Sequence, residues 1–316
     1  MPVLLLLGIA LLGLVAVGQI RGEGMWAAEL QDFAHGPVFA FLALIVIALL
    51  RRVAAGYFSA FWDYVLTFAI VLLLGALLEL LQLVTGRDVS SADLFRDALG
   101  ALAALGFFSL VDPRLRAMQN PGSVRLAGVL LGVISTALIV APLAISGAAY
   151  LQRQRSLPTL VDFNSPLSRY FLRAYSAVVV ERRPVPDDLR NGTDRIVGLH
   201  ARTIGNQGWG LALWEPYPDW SSFDWLALDL TNPTDDLLVL QVHIRDRRQK
   251  HDRESGYLAQ IEVAQRSRET RRIELRELTA AEGRERVDIS IVDSIVFSPN
   301  PANRAPEFYL MRIWLE

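Results

Sequence analysis

Five stretches of almost purely apolar residues fall in the first half of the chain, at residues 4–20, 33–50, 64–84, 92–110 and 126–150. Crossing about 30 Å of hydrocarbon at 1.5 Å per residue takes roughly 20 residues, so each window is long enough, or nearly so, to cross a bilayer as a helix. That pattern commits residues 1–150 to a transmembrane helical bundle of about five spans. The first stretch is short and N-terminal like a secretory signal. It lacks a basic leading segment, however, and Ala16-Val17-Gly18 is the only small-x-small sequence before Arg21, so an uncleaved span is expected.

Composition must be taken by halves. The chain-wide values of 52% apolar and 20% charged residues average a hydrocarbon-like segment with an ordinary globular one. Charges become frequent from Gln152 onward, which gives a linker at 151–157 and a water-soluble domain over 158–316. A net charge of −2, with basic and acidic residues interspersed, offers no general attraction to nucleic acid, and none is expected as a partner. The absence of cysteine excludes disulfides, thiol catalysis and thiolate metal sites.

Arg51 and Arg52 follow the second stretch, and Arg114, Arg116 and Arg125 lie between the fourth and fifth. Cytoplasmic loops collect such residues, so these two are placed inside, which puts the C-terminal domain outside the cytoplasm. Arg21, Arg87, Arg96, Arg153 and Arg155 oppose this assignment, several of them with acidic neighbours. The localisation expected is a bacterial cytoplasmic membrane, with the second domain extracytoplasmic.

Within this topology the polar residues gather near the outer leaflet. His35 begins the second span, Glu79 and Gln82 end the third, and Arg87, Asp93 and Asp97 lead into the fourth. Glu79 and Gln82 share a helix face, while Asp93, Asp97, Gly100 and Ala104 form a stripe on the next helix. Ionisable groups in a span cost a few kcal/mol or more when unpaired, so they normally turn inward and mark a site. His35, Glu79, Gln82, Arg87, Asp93 and Asp97 are therefore a candidate membrane pocket. The plainer reading is that Glu79 and Gln82 only hold helices together and that Arg87 lies in a solvated interfacial loop.

Asp32-x-x-His35, Glu79-Leu-Leu-Gln82, Arg87, Ser90-Ser91-Ala92-Asp93-Leu94 and Gly100 together resemble the VanZ-like family, over about residues 30–110. That family often has a lysine where this chain has Asp32, and commonly an asparagine where it has Asp97. The resemblance implies bacterial cell-envelope biology, including low-level glycopeptide (teicoplanin) resistance for the family's namesake, and supplies no reaction. Read as chemistry, the cluster suits an anionic phosphate or carboxylate headgroup of a membrane lipid or lipid-linked glycan, together with proton movement.

After Pro158 the apolar period becomes two, as in Leu226, Leu228 and Leu230 and then Leu238, Leu240, Val242 and Ile244, with a turn at 232–236 between. About nine such segments without convincing helices predict an all-β sandwich, most simply a jelly roll. Asp162-Phe163, the segment from Trp220 to Asp229, Ile244-Arg245-Asp246 and the closing run from Glu307 to Leu315 resemble the galactose-binding-like carbohydrate-binding jelly rolls and the sandwich of complex I intermediate-associated proteins. Aromatic rings bury apolar area while their polar edges stay wet, so Trp209, Trp214, Tyr217 and Trp220 are candidate glycan-platform residues, with core or rim packing as the competing role. His243 and Arg245 alternate with core residues and point to the opposite sheet face. His200 and His251 lack metal-ligand spacing, and no hydrolase, zinc-protease or phosphate-loop motif occurs, so no metal or cofactor is expected.

Two functions follow. One is an envelope protein that recognises a lipid headgroup or lipid-linked glycan, with a sandwich binding polysaccharide or an envelope protein. The other is a membrane-embedded enzyme acting on a lipid-linked precursor through His35, Glu79 and Asp97.

Overall fold

A computed structural model describes residues 2–17, 24–54, 57–84, 90–117, 120–176, 178–190, 197–203, 209–250, 252, 255–300 and 307–316. The chain divides into two compact units, Met1–Gly147 and Ala148–Glu316.

The first unit is helical: α1 (Pro2–Val17), α2 (Met25–Val53), α3 (Ala60–Val84), α4 (Ser91–Val111), the single turn α5 (Pro113–Arg116) and α6 (Pro121–Arg155), which runs on past the unit boundary. α2, α3, α4 and α6 are long and apolar enough to cross a membrane, whereas α1 has only 16 residues. Residues 151–155, read from the sequence as linker, continue α6 as helix. Phe39, Leu42 and Ile47 of α2, Val71 and Leu78 of α3, and Ala101 and Leu105 of α4 form its core. Large apolar side chains such as Phe41, Leu73, Leu77, Leu130 and Ile134 face outward, as a hydrocarbon surround permits and water does not.

Glycines decide how closely these helices approach. A Cβ on Gly100 would stand 2.2 Å from the Gly36 carbonyl oxygen, and one on Gly106 would stand 2.5 Å from that of Gly128. Without a hydrophobic drive between helices in lipid, such close backbone contact supplies much of the packing.

At one end of the bundle lies an ion-pair cluster that the sequence did not announce. Arg51 Nε donates to Asp63 Oδ2 at 3.0 Å, and its two terminal nitrogens fork onto Asp112 at 3.1 and 2.7 Å. Arg114 reaches Asp63 at 2.6 Å, and the Tyr64 hydroxyl donates to Asp112 at 3.0 Å. Asp112 also caps α5 through the Arg114 amide. Arg51 and Arg114, taken from the sequence as charges orienting the loops, thus clamp the ends of α2, α3 and α4, while Arg52 remains exposed.

The second unit begins with the last turn of α6 and is otherwise a sandwich of antiparallel strands: β1 (Thr159–Asp162), β2 (Leu172–Ser176), β3 (Val178–Pro184), β4 (Val197–Thr203), β5 (Trp209–Trp214), β6 (Trp225–Asn232), β7 (Leu238–Asp246), β8 (Tyr257–Val263), β9 (Ser267–Glu274), the short helix α7 (Leu275–Ala280), β10 (Val292–Pro299) and β11 (Glu307–Leu315). One sheet has the order β3-β4-β11-β6-β9, with β1 pairing the far half of β11; the other is β2-β5-β10-β7-β8. Leu226, Leu228, Leu230, Phe308, Leu310 and Ile313 of the first sheet and Leu211, Leu213, Leu240, Val242, Ile295 and Phe297 of the second are almost wholly buried. The expected sandwich is therefore present, with eleven strands among the described residues where about nine were predicted. The extra ones are the four-residue β1, and β2, whose sequence Leu-Arg-Ala-Tyr-Ser does not alternate.

The last turn of α6 belongs to the sandwich unit. The Tyr150 hydroxyl donates to Glu215 Oε2, Arg153 donates to the Glu215 carbonyl at 2.6 Å, and its guanidinium lies 5.3 Å from the Phe171 ring centre. A soluble fragment 148–316 is therefore expected to exceed fragment 158–316 in stability by about 2–3 kcal/mol, from the lost aromatic burial and cation–π contact. Urea unfolding of the two fragments measures the difference.

Candidate functional site

In the helical unit, His35 and Asp97 meet across α2 and α4, with Nδ1 2.9 Å from Oδ1. The backbone allows this because Gly36 and Gly100 bring the two helices into contact. Asp97 is fully buried, and its other oxygen, Oδ2, has no hydrogen-bond partner among the described residues; it abuts Gly75 of α3, where a Cβ would come within 2.8 Å. Glu79 lies one turn after Gly75. Its Oε2 accepts the Ser90 amide at 2.9 Å, tying the end of α3 to the capped start of α4, while Oε1 is buried without a partner among the described residues. Toward the more exposed side, Arg96 holds Asp32 and Asp93, each at 2.7 Å. Glu79 and Asp93 lie within electrostatic reach of both His35 and Asp97.

His35, Glu79, Asp93 and Asp97 thus lie near one another across α2, α3 and α4. Asp32 and Arg96 join them, a pair given no part in the pocket from sequence. Gln82 continues α3, but its side chain, like the whole of Arg87, lies outside the described residues.

In the sandwich the four candidate aromatics separate. Trp220 is fully buried and donates its indole N–H to the Tyr217 carbonyl at 2.6 Å, so it is a core residue and no platform. Tyr217 is half-buried beside it. The ring of Trp209 lies outside the described residues, although its backbone forms β5. Trp214 is half-buried on the outer face of the β2-β5-β10-β7-β8 sheet, and its indole N–H donates at 2.6 Å to the hydroxyl of Tyr175, itself 44% exposed. Tyr175 was not singled out from the sequence, because β2 gives no local sign of which side chains face outward.

Register defines the rest of this face. Trp214, Ser294 and Arg245 stand on one rung across β5, β10 and β7; Arg173, Ala212, Val296, His243 and Leu258 stand on the next; Gln241 pairs with Gln260 and with Ser298 beyond it. Small residues, Gly210, Ala212 and Ser294, lie low beside the aromatic pair. Polar side chains on β7 and β8 rise about two strand spacings away, or roughly 10 Å. Arg245 donates to His243 Nδ1 at 3.0 Å. Gly256 closes over them at φ 117°, a left-handed conformation; a Cβ there would meet the Arg245 Cγ at 2.7 Å and His243 Nε2 at 2.8 Å, so only glycine fits.

Burial, and next the adjacent Arg245 charge, push the His243 imidazole below its ordinary pKa. Unfolding restores the ordinary value of about 6.5, so the unfolded state binds the proton more tightly and folding stability declines as pH falls through that region. The sandwich is expected to lose stability between pH 7 and pH 5. His243→Gln should flatten that part of the profile in urea titrations at several pH values.

At another edge of the sandwich, Arg248, Asp252, Ser255, Thr279, Arg286 and Asp288 are among the residues lining a polar cleft of about 640 Å³. Asp246 behind it is fully buried and held by Arg248 and the Asp288 amide.

No protein-family model matches the chain, and no curated protein matches it in sequence. Among solved structures, it is similar over 50% of its length to the family 11 carbohydrate-binding module from Clostridium thermocellum in complex with a β-1,3-1,4-mixed-linked tetrasaccharide, at 19% identity, a TM-score of 0.37 and 93% of that chain. It is also similar to an exo-β-agarase, at 16% identity and a TM-score of 0.40, over 50% of this chain and 24% of the agarase. A third is a family 28 module specific for non-crystalline cellulose, at 13% identity and a TM-score of 0.33, over 51% of this chain and 93% of the module. The sandwich architecture stands on its own strand pairing, and the VanZ-like resemblance on its motif residues alone.

Proposed function

We propose that this chain is a multi-pass envelope membrane protein whose sandwich, held outside the cytoplasm, binds a glycan across the outer face of the β2-β5-β10-β7-β8 sheet. The observation carrying this reading is the Trp214–Tyr175 pair: two large rings joined by a 2.6 Å hydrogen bond, at the surface, beside small residues and facing polar side chains. Aromatic faces cover the apolar side of a pyranose ring while hydrogen-bonding groups take its hydroxyls, and Gln241 and the exposed Gln260 lie on the same face for the second task. The helical unit, in the same reading, anchors the protein and recognises a lipid or lipid-linked headgroup through His35, Glu79 and Asp97.

Incubating the purified protein with an array of bacterial and plant polysaccharides tests the glycan reading. Retention on at least one glycan class, lost in Trp214→Ala, supports it; retention on none removes it. Orientation is tested by an export-dependent reporter fused after Glu316, which is expected to be active.

A further inference from the structure

The sequence pointed to an anionic headgroup at the membrane cluster, but the described charges point the other way. Four carboxylates, Asp32, Glu79, Asp93 and Asp97, face one arginine and one histidine across α2, α3 and α4. The arginine, Arg96, is already held by Asp32 and Asp93. What remains open among the described residues is acceptor capacity: Glu79 Oε1 and Asp97 Oδ2 are buried and accept no hydrogen bond from them. A buried carboxylate oxygen left unpaired in a low-dielectric setting is costly, and a negatively charged group brought to it would raise the cost.

We propose that this cluster binds a primary ammonium group, with Glu79 as the first acceptor and Asp97, oriented by His35, as the second. A primary ammonium carries a positive charge and three N–H donors, which matches open acceptors of opposite sign. A phosphate or carboxylate has neither, and a quaternary ammonium has the charge without the donors. Exposure falls along the cluster, from Asp32 at 41% of its side chain, through His35 at 7%, to Asp97 at 0%, so the open acceptors belong to its most buried members. The inference rests on the reading of the helical unit as a headgroup site and is independent of the sandwich.

The test places the full-length protein in nanodiscs of phosphatidylcholine alone, or with phosphatidylethanolamine or phosphatidylglycerol added, and follows thermal unfolding. Soluble ethanolamine is added to the phosphatidylcholine discs as a further arm. Phosphatidylethanolamine is expected to raise the unfolding midpoint by about 3 °C over phosphatidylcholine, with no rise from phosphatidylglycerol. A matching rise with ethanolamine means that the free amine suffices; a rise with the lipid alone makes the lipid the ligand. Glu79→Gln, and separately Asp97→Asn, should abolish the rise, and the lipid comparison on the unsubstituted protein stands even if one variant does not fold. A rise with phosphatidylglycerol instead would overturn the ammonium inference and leave the headgroup reading standing. No rise in any arm would overturn both, and an ethanolamine effect that survives Glu79→Gln would place the amine elsewhere and refute the assignment.

Discussion

Arg51→Ala is expected to destabilise the helical unit by about 3–5 kcal/mol, enough to remove most folded protein from the membrane. Among the described residues Arg51 is the only arginine whose side chain pairs with Asp112 and one of two that pair with Asp63, and both carboxylates are almost wholly buried. Removing it leaves Asp112, among the described residues, with the Tyr64 hydroxyl and the Arg114 amide. The loss is therefore that of an uncompensated buried charge, which exceeds the net worth of the pair itself. Arg51→Lys keeps a point charge but cannot fork onto Asp112 while reaching Asp63, so it should fall between. Arg52→Ala, at an exposed position one residue on, should be silent. Detergent-titrated unfolding of the three variants measures this order.

The second large effect concerns the outer sheet face. Trp214→Ala and Tyr175→Ala should each weaken glycan binding by tenfold or more, since each removes a ring worth about 1.5–3 kcal/mol of buried area in contact with a ligand. Because the indole N–H of Trp214 rests on the Tyr175 hydroxyl, each ring positions the other, and the double variant should lose less than the sum. Tyr175→Phe keeps the ring and removes the hydrogen bond, so an intermediate loss is expected. All four variants should fold normally, as both side chains are partly exposed. Isothermal titration with the glycan selected on the array gives the affinities.

What could be read in the sequence follows from how local the signal was. Spanning helices announce themselves by composition, and β6 and β7 by strict alternation of leucine, valine and isoleucine. His35, Glu79 and Asp97 stood out because a charge inside an apolar window is rare. Their pairing, and the part played by Arg96, needed the α2–α4 contact through Gly36 and Gly100. The Arg51 cluster was illegible because its partners Asp63 and Asp112 lie 12 and 61 residues away, and an arginine pair after a span reads equally well as loop charge. Trp214 and Trp220 could not be told apart, since the chain between them turns irregularly and a period of two no longer assigns faces. Tyr175 emerged only from the register of β2 on β5, a contact 39 residues apart.

The measurement that most directly tests glycan binding by this sheet is amide chemical-shift mapping of isotope-labelled fragment 148–316 titrated with the selected glycan. The predicted result is a contiguous set of shifts on the outer-face rungs of β2, β5, β10 and β7, with the Trp214 indole N–H among the most perturbed. Shifts confined to the polar cleft around Arg248 and Arg286, or to the β3-β4-β11-β6-β9 sheet, would contradict it.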